Sequence, residues 1–128
     1  MPNTEKKSTT PRKPRLPKLI KTAIEAAQNK KALDLVVLDL RGIASFTDYF
    51  LICSGTSTPQ NQAICNEIEQ KLKQQERVPT HVEGYPKAEW VLMDYSDIVI
   101  HIFSPASRTF YNLERLWREA LRIEIPDA

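Results

Sequence analysis

The sequence predicts a single α/β (α+β) domain in which helices pack on a mixed β-sheet. Segments with the 3.6-residue periodicity of amphipathic helices alternate with short apolar runs of strand length. The predicted order is helix, two strands, helix, a short optional strand, two strands and helix. The chain has 128 residues and is 41% hydrophobic, which is enough for one core and too little for two.

The first 18 residues differ from the rest of the chain in composition. They contain four prolines, six Lys or Arg and one Glu, so they carry a charge of +5 within a chain whose formal net charge is +2. Such a segment cannot bury enough apolar surface to offset the entropy lost on ordering. We therefore expect a disordered basic tail over residues 1–18 and one domain over residues 19–128.

The charge distribution limits the classes of partner. Residues 19–128 carry a net charge of −3, which argues against a broad phosphate-binding surface, because nucleic-acid-binding domains concentrate Lys and Arg on one face. We expect at most a non-specific RNA contact by the tail, and a solvated tail without function is the alternative. No apolar run is long enough to span a bilayer. A cytoplasmic protein is predicted, with a short organelle-targeting leader as the alternative.

The first half of the domain is predicted to be a helix followed by two strands. Residues 19–31 have the spacing of an amphipathic helix. Its buried stripe consists of Ile20, Ala23, Ile24 and Ala27. The apolar runs at residues 35–40 and 49–53 have the length of strands, and Gly42 allows the chain to turn between them.

The second helix is predicted to follow the sequence Ser-Gly-Thr-Ser at residues 54–57. Thr58 is suited to the N-cap position and Pro59 to the first helical position. The buried edge of this helix recurs every four residues, at Ile64, Ile68 and Leu72. A helix N-terminus attracts anions, but this turn lacks the Lys and second Gly of a phosphate-binding loop. We therefore favour an ordinary capped turn.

The segment 90–103 is predicted to be a β-hairpin with two different faces. We expect Asp94 to lie opposite Asp97 across the turn, which makes His101 the cross-strand neighbour of Trp90. One face is mixed aromatic and polar, with Trp90, Leu92, Val99, His101 and Phe103. The other face is aliphatic, with Val91, Met93, Ile98, Ile100 and Ile102. A bulge at the turn would shift the register by one and exchange the faces.

The remaining segments are predicted to be a loop with an edge strand, and a final helix. Residues 79–87 contain Gly and two prolines, with a short strand at residues 81–83. The last helix is expected to run from about residue 107 to 122. Its buried stripe is predicted to be Phe110, Leu113, Trp117 and Ala120. Arg108 in its first turn opposes the helix dipole, so we expect a carboxylate of the domain or of a partner to compensate it.

No residue pattern indicates catalysis, and we expect no metal and no cofactor. Metal-dependent nucleotidyl transfer typically needs a D-x-D pair of carboxylates, and no two aspartates have that spacing. Cys53 and Cys65 lack neighbouring ligands, so we expect buried, reduced thiols. Neither histidine lies in a nucleophile motif. We expect His101 to bind a partner or to satisfy a neighbour such as Asp94 or Glu83.

Four segments together resemble the Iojap, or ribosomal silencing factor (RsfS), family. They are TDYFLICSGTS at residues 47–57, EG at 83–84, WVLMDYSDIVIHIF at 90–103 and SRTFYNLERLWREA at 107–120. The resemblance covers nearly all of residues 19–122 in the family's order and spacing. Matching positions are Asp48, Tyr49, Gly55, Glu83, Gly84, Trp90, Asp94, His101, Arg108, Tyr111, Glu114 and Trp117.

The resemblance implies an α/β fold similar to nucleotidyltransferases but without their catalytic carboxylates. It also implies a partner, the fourteenth protein of the large ribosomal subunit, and a block on joining of the small subunit when nutrients are scarce. We expect the partner-binding residues to be Glu83, Trp90, Leu92, Asp94, His101, Phe103, Arg108 and Tyr111. An exposed aromatic surface further predicts a homodimer when the protein is free. The alternatives are a nucleotide-binding enzyme and an RNA-binding module that stacks bases on aromatic side chains.

Overall fold

A six-stranded mixed β-sheet forms the centre of the protein, in a computed structural model that describes residues 15–126. The strands are β1 (Leu33–Asp39), β2 (Tyr49–Ser54), β3 (His81–Glu83), β4 (Trp90–Asp94), β5 (Ile98–Phe103) and β6 (Leu121–Glu124). The helices are α1 (Lys18–Asn29), α2 (Thr58–Lys73), α3 (Pro105–Tyr111) and α4 (Leu113–Leu116). The strand order is β3-β4-β5-β2-β1-β6, in which β2 and β5 pair in parallel and the other pairs are antiparallel. The predicted class, a mixed sheet with helices, is confirmed.

The predicted tail lies mostly outside the described residues. Residues 1–14 are not described, and Lys18, the last residue of the predicted tail, already belongs to α1. Among residues 15–126, no helix combines the length and the apolar character needed to cross a bilayer.

Helices α1 and α2 cover one face of the sheet. The predicted buried residues of α1 are confirmed, and so are those of α2. The predicted N-cap of α2 is wrong by one residue: Ser57, not Thr58, caps the helix. Its Oγ accepts a hydrogen bond from the backbone N–H of Gln60 at 3.1 Å. Both residues carry a hydroxyl, but Ser57 has the extended backbone that an N-cap requires.

The two predicted faces of the β4–β5 hairpin are confirmed, but the predicted register is wrong by two residues. Asp94 lies opposite Val99, and Trp90 lies opposite Phe103. The cause is Tyr95, which is 1% exposed and packs into the core on the side of α1 and α2. The backbone N–H of Tyr95 donates to the carbonyl of Ile98 at 2.9 Å, so the turn lies at residues 96–97, one residue further along the chain than predicted. Because side chains alternate, a shift of two leaves every side chain on its predicted face.

The last predicted helix is wrong in its second half. The chain forms two short helices and then β6, which pairs with β1 and adds a sixth strand to the sheet. The helices separate at Asn112, whose φ of 47° is left-handed, a conformation that asparagine tolerates better than most residues. Of the predicted stripe, Ala120 is buried, whereas Phe110 is 80% exposed.

Both cysteines are buried, as predicted. Burial raises the pKa of Cys53 and of Cys65 to about 12, so both thiols stay protonated and unreactive. Within the part of the chain that the structure describes, no cluster of three or more His, Cys, Asp or Glu could hold a metal ion.

Candidate partner-binding surface

The sheet face opposite α1 and α2 carries a row of aromatic side chains, which we call the aromatic face. Its members are Phe46, Phe50, Trp90, His101, Phe103, Tyr111 and Trp117. Neighbouring ring centroids in this row lie 4.4 to 6.5 Å apart. The two short helices α3 and α4 cover it incompletely: Tyr111 is 49% exposed and Phe46 is 58% exposed. The sheet thus has one fully covered face and one partly open face.

Trp90 and His101 form a hydrogen-bonded pair on this face. The indole Nε1–H of Trp90 donates to Nδ1 of His101 at 3.1 Å. His101 is only 3% exposed, and burial lowers its pKa to about 3, so the imidazole is neutral over the physiological pH range. The expected neighbours Asp94 and Glu83 are wrong: Nδ1 of His101 accepts from Trp90, and its Nε2 has no hydrogen-bond partner among residues 15–126.

The other histidine, His81, lies beside Glu83 and Asp94 at the edge of the sheet. His81 Nε2 lies 3.4 Å from a carboxylate oxygen of Glu83 and 3.8 Å from one of Asp94. Strand β3 pairs with β4, which brings His81 opposite Asp94. Glu83 and Asp94, two of the predicted site residues, therefore lie together at this edge.

The indole of Trp90 is partly exposed and borders a small open pocket. It stacks on the ring of Phe103, with 5.1 Å between centroids, and contacts the ring of Tyr111 from α3 at 4.5 Å. The pocket has a volume of about 190 Å³. It is lined by Gly84, Lys87, Glu89, Trp90, Ser107 and Tyr111. The site therefore presents an aromatic edge beside a concave surface, which suits the insertion of a partner side chain.

Arg108 is engaged within the chain. Its Nε and Nη2 atoms donate to the two carboxylate oxygens of Glu114, at 3.0 and 3.2 Å, and Nη1 donates to the hydroxyl of Ser54 at 3.0 Å. Arg122 donates to the same carboxylate at 2.7 Å. Burial acts to raise the pKa of Glu114, but the hydrogen bonds from both arginines outweigh it and lower that pKa. The expected compensating carboxylate is confirmed, and Arg108 serves to hold α3 against β2.

Five of the eight predicted site residues lie at the aromatic face, and these five differ in exposure. Trp90 and Leu92 are partly exposed on the aromatic face, and Tyr111 is exposed beside them. His101 and Phe103 are buried beneath this surface and support it. Phe110 is adjacent to Tyr111, with 5.0 Å between ring centroids, and its side chain is 80% exposed. It was not among the predicted site residues, because helical spacing assigned it to a buried stripe.

The loop that leads into Trp90 is anchored on α2 by a buried asparagine. Asn61 is 1% exposed, and its Nδ2 donates to the carbonyl of Ala88 at 2.7 Å. Gly55 packs against the same side chain, and a Cβ atom on Gly55 would lie 2.1 Å from Asn61 Oδ1. The turn before α2 is an ordinary capped turn, as we favoured, since the N–H of Thr56 is already bound by the Gln60 side chain at 2.7 Å.

This contact gives a first prediction about stability. Gly55→Ala is expected to lower the free energy of unfolding by about 2 kcal/mol, because the added methyl overlaps Asn61 in a closely packed site. In an Asn61→Ala background the same change is expected to cost less than about 1 kcal/mol. Urea denaturation of the two single variants and the double variant measures both values. If the losses of the two single variants add up to that of the double variant, the cost of Gly55→Ala does not come from its contact with Asn61.

The fold and this surface define a class of protein: a small α/β domain with one helix-covered sheet face and one aromatic face suited to binding another macromolecule. A family model described as ribosomal silencing factor during starvation matches residues 13–128. The chain therefore belongs to the RsfS family of ribosomal silencing factors. The members of this family are named for a regulatory role and not for an enzymatic activity.

Individual relatives and a solved structure agree with this assignment. The chain is 41% identical over 107 residues to the ribosomal silencing factor RsfS of Halalkalibacterium halodurans, covering 84% of this chain and 92% of that protein. A mouse protein named mitochondrial assembly of ribosomal large subunit protein 1 is 31% identical over 97 residues, covering 73% of this chain and 42% of that protein. A crystal structure from Chromobacterium violaceum matches with a TM-score of 0.76 and 35% identity, covering 78% of this chain and 83% of that one.

Proposed function

We propose that the protein binds the large ribosomal subunit through large-subunit ribosomal protein fourteen and sterically blocks association with the small subunit. The expected consequence is repression of translation under nutrient limitation. Membership of the silencing-factor family supports this proposal, and the mouse relative's name links that protein to the large subunit. We further propose that the protein acts in the cytoplasm.

The observation that carries the proposal is the presentation of Trp90. Its indole is held between Phe103 and Tyr111 and borders an open pocket. Tryptophan, tyrosine and arginine supply most of the binding energy in protein interfaces, and they do so where a partner excludes water from them. The aromatic face therefore has the composition of an interface centre, and Glu83, Leu92 and Asp94 are proposed to lie around it.

A steric mechanism requires no covalent chemistry. The proposed complex has a standard footprint of about 800 Å² on each partner. Once docked on the large subunit, the domain occupies space that the small subunit needs. The buried residues His101 and Phe103 and the partly buried Arg108 are proposed to contribute by holding the exposed side chains in place.

Removal of the Trp90 side chain tests the proposal directly. Trp90→Ala is expected to weaken binding to the isolated ribosomal protein by about 2 kcal/mol, or roughly 30-fold, because it removes an indole that the complex is expected to bury at the centre of the interface. Isothermal titration calorimetry measures this affinity, and circular dichroism checks that the variant is folded. Val78→Ala is the matched control, since Val78 is an exposed apolar residue that follows α2.

A sucrose-gradient assay of subunit joining tests the second half of the proposal. The wild-type protein is expected to keep the subunits apart, whereas Trp90→Ala should permit joining at the same concentration. Undiminished binding by a folded Trp90→Ala variant would remove this residue from the site. Binding without any effect on subunit joining would refute the steric mechanism.

The same surface supports a proposal about the free protein. The side chains of Phe46, Phe110 and Leu116 are more than half exposed. Apolar surface of this kind is often covered by self-association. We propose a homodimer in the absence of the ribosome, which analytical ultracentrifugation tests. A non-specific contact of the basic tail with ribosomal RNA is also proposed, and it concerns residues mostly outside the described part of the chain.

A further inference from the structure

We infer that His101 is a positioning residue whose Nδ1 atom fixes the indole of Trp90 in the orientation that the binding surface presents to its partner. The identity of that partner rests on the proposed function, whereas the geometry of the pair does not. His101 is too deeply buried to contact a partner itself. Its effect on binding must therefore pass through Trp90.

The hydrogen bond determines the tautomer of the imidazole. An indole nitrogen can only donate, so Nδ1 of His101 must carry the lone pair that accepts this bond. The hydrogen of the neutral ring is then on Nε2. This atom is buried and has no hydrogen-bond partner among residues 15–126.

A buried N–H without a hydrogen-bond partner is unfavourable, so packing alone does not explain why a histidine occupies this position. A phenylalanine of similar shape would fill the same space in this apolar surrounding without leaving a polar atom unsatisfied. The property that His101 adds is the acceptor at Nδ1. That acceptor has one observed use, which is to bind the indole of Trp90.

The imidazole itself is held firmly by its neighbours. The ring of Phe50 meets it edge to face, with 4.4 Å between centroids, and the ring of Phe103 is nearly parallel to it at 6.1 Å. The acceptor therefore has a fixed position from which it orients the indole. The other ring contacts of Trp90 are a stacked contact with Phe103 and a tilted contact with Tyr111, and such contacts have less directional preference than a hydrogen bond.

Preorganisation of an interface residue strengthens binding, because the ordering cost is met before the partner arrives. Loss of the Nδ1 acceptor is expected to let the indole sample other orientations while leaving its apolar surface intact. The expected result is a lower affinity of the site without any change in the side chain that the partner contacts.

The experiment compares two variants that differ in the acceptor. His101→Phe removes the acceptor and keeps an aromatic ring, whereas His101→Asn places a side-chain oxygen close to the position of Nδ1. Both are made in a Trp117→Phe background, so that Trp90 is the one remaining tryptophan of the two in the sequence. Hydrogen exchange of its indole N–H, followed by NMR, reports the hydrogen bond in the free protein. Calorimetry with the ribosomal protein reports the affinity.

We expect His101→Phe to lose protection of the indole N–H and to bind about tenfold more weakly, as removal of one hydrogen bond predicts. We expect His101→Asn to retain protection and to bind within about threefold of the background protein. If His101→Phe does not unfold cooperatively, His101→Leu replaces it with the same expected result. Equal loss in the Asn and Phe variants, or unchanged affinity in a Phe variant that has lost protection, would overturn the inference.

The experiment distinguishes an error in the proposed function from an error in the positioning role of His101. If the ribosomal protein is not the partner, the wild-type chain fails to bind it in calorimetry. The exchange measurement still decides whether His101 fixes the indole, because it is made on the free protein. Undiminished indole protection in His101→Phe would refute the positioning role whatever the partner is.

Discussion

Gly84→Ala is expected to destabilise the protein by about 3 kcal/mol and to abolish ordered presentation of Trp90. Gly84 has a φ of +81°, a backbone conformation that residues with a Cβ atom rarely adopt. A Cβ atom at this position would also lie 2.0 Å from the backbone carbonyl oxygen of Trp90. Because the overlap involves a backbone atom, it can be removed only if the backbone of Gly84 or of β4 moves.

A second glycine provides the matched control. Gly42 has the same φ of +81°, but a Cβ atom there would meet nothing within 4 Å. Gly42→Ala is expected to cost about 1 kcal/mol, which is the conformational cost alone. Urea denaturation gives both free energies of unfolding, and calorimetry with the ribosomal protein gives the effect on the site. Equal costs for the two glycines would show that the contact with Trp90 is unimportant.

The sequence predicts which side chains share a face of the sheet more reliably than it predicts which residues pair. Side chains alternate along a strand, so the faces of β4 and β5 follow from the sequence once the strands are found. The pairing of Asp94 depends on the turn, and the turn is shifted by the burial of Tyr95. That burial is a tertiary effect, which no local pattern around residues 95–96 indicates.

The C-terminal segment shows where helical spacing misleads. Phe110, Leu113 and Trp117 have helical spacing, and this pattern predicts a helix that continues past them. The signal that was missed is the alternation of apolar Leu121 and Ile123 with charged residues, which is typical of a strand. The free edge of β1 provides the pairing partner for this strand, and that edge is known only from the fold.

The aromatic face was predictable in composition but not in exposure. Trp90, Leu92 and His101 were assigned to one face from alternation, and the structure confirms that assignment. Which of them reach the surface depends on how much of the face α3 and α4 cover. Helix α3 ends and α4 begins at Asn112, whose left-handed backbone a sequence pattern does not reveal.

The stability of the protein is expected to fall as the pH is lowered from about 6 to about 4, in part because of His101. Burial lowers the pKa of His101 to about 3 in the folded protein, from an ordinary value of 6.5. Below pH 6.5 the unfolded chain therefore binds a proton at this residue that the folded protein does not bind. The free energy of unfolding then decreases by up to about 1.4 kcal/mol for each pH unit.

His101→Asn isolates this contribution, because asparagine does not titrate. The lowered pKa values of Asp39 and Glu114 also reduce stability in acid, but they do so equally in both proteins and cancel in the difference. Urea denaturation at several pH values is expected to show that the wild-type protein loses about 2 kcal/mol more than the variant between pH 6 and pH 4. Parallel pH profiles would mean that the imidazole can be protonated in the folded protein. The hydrogen bond from Trp90 to Nδ1 would then be broken in mild acid, since an imidazolium ion has no lone pair to accept it.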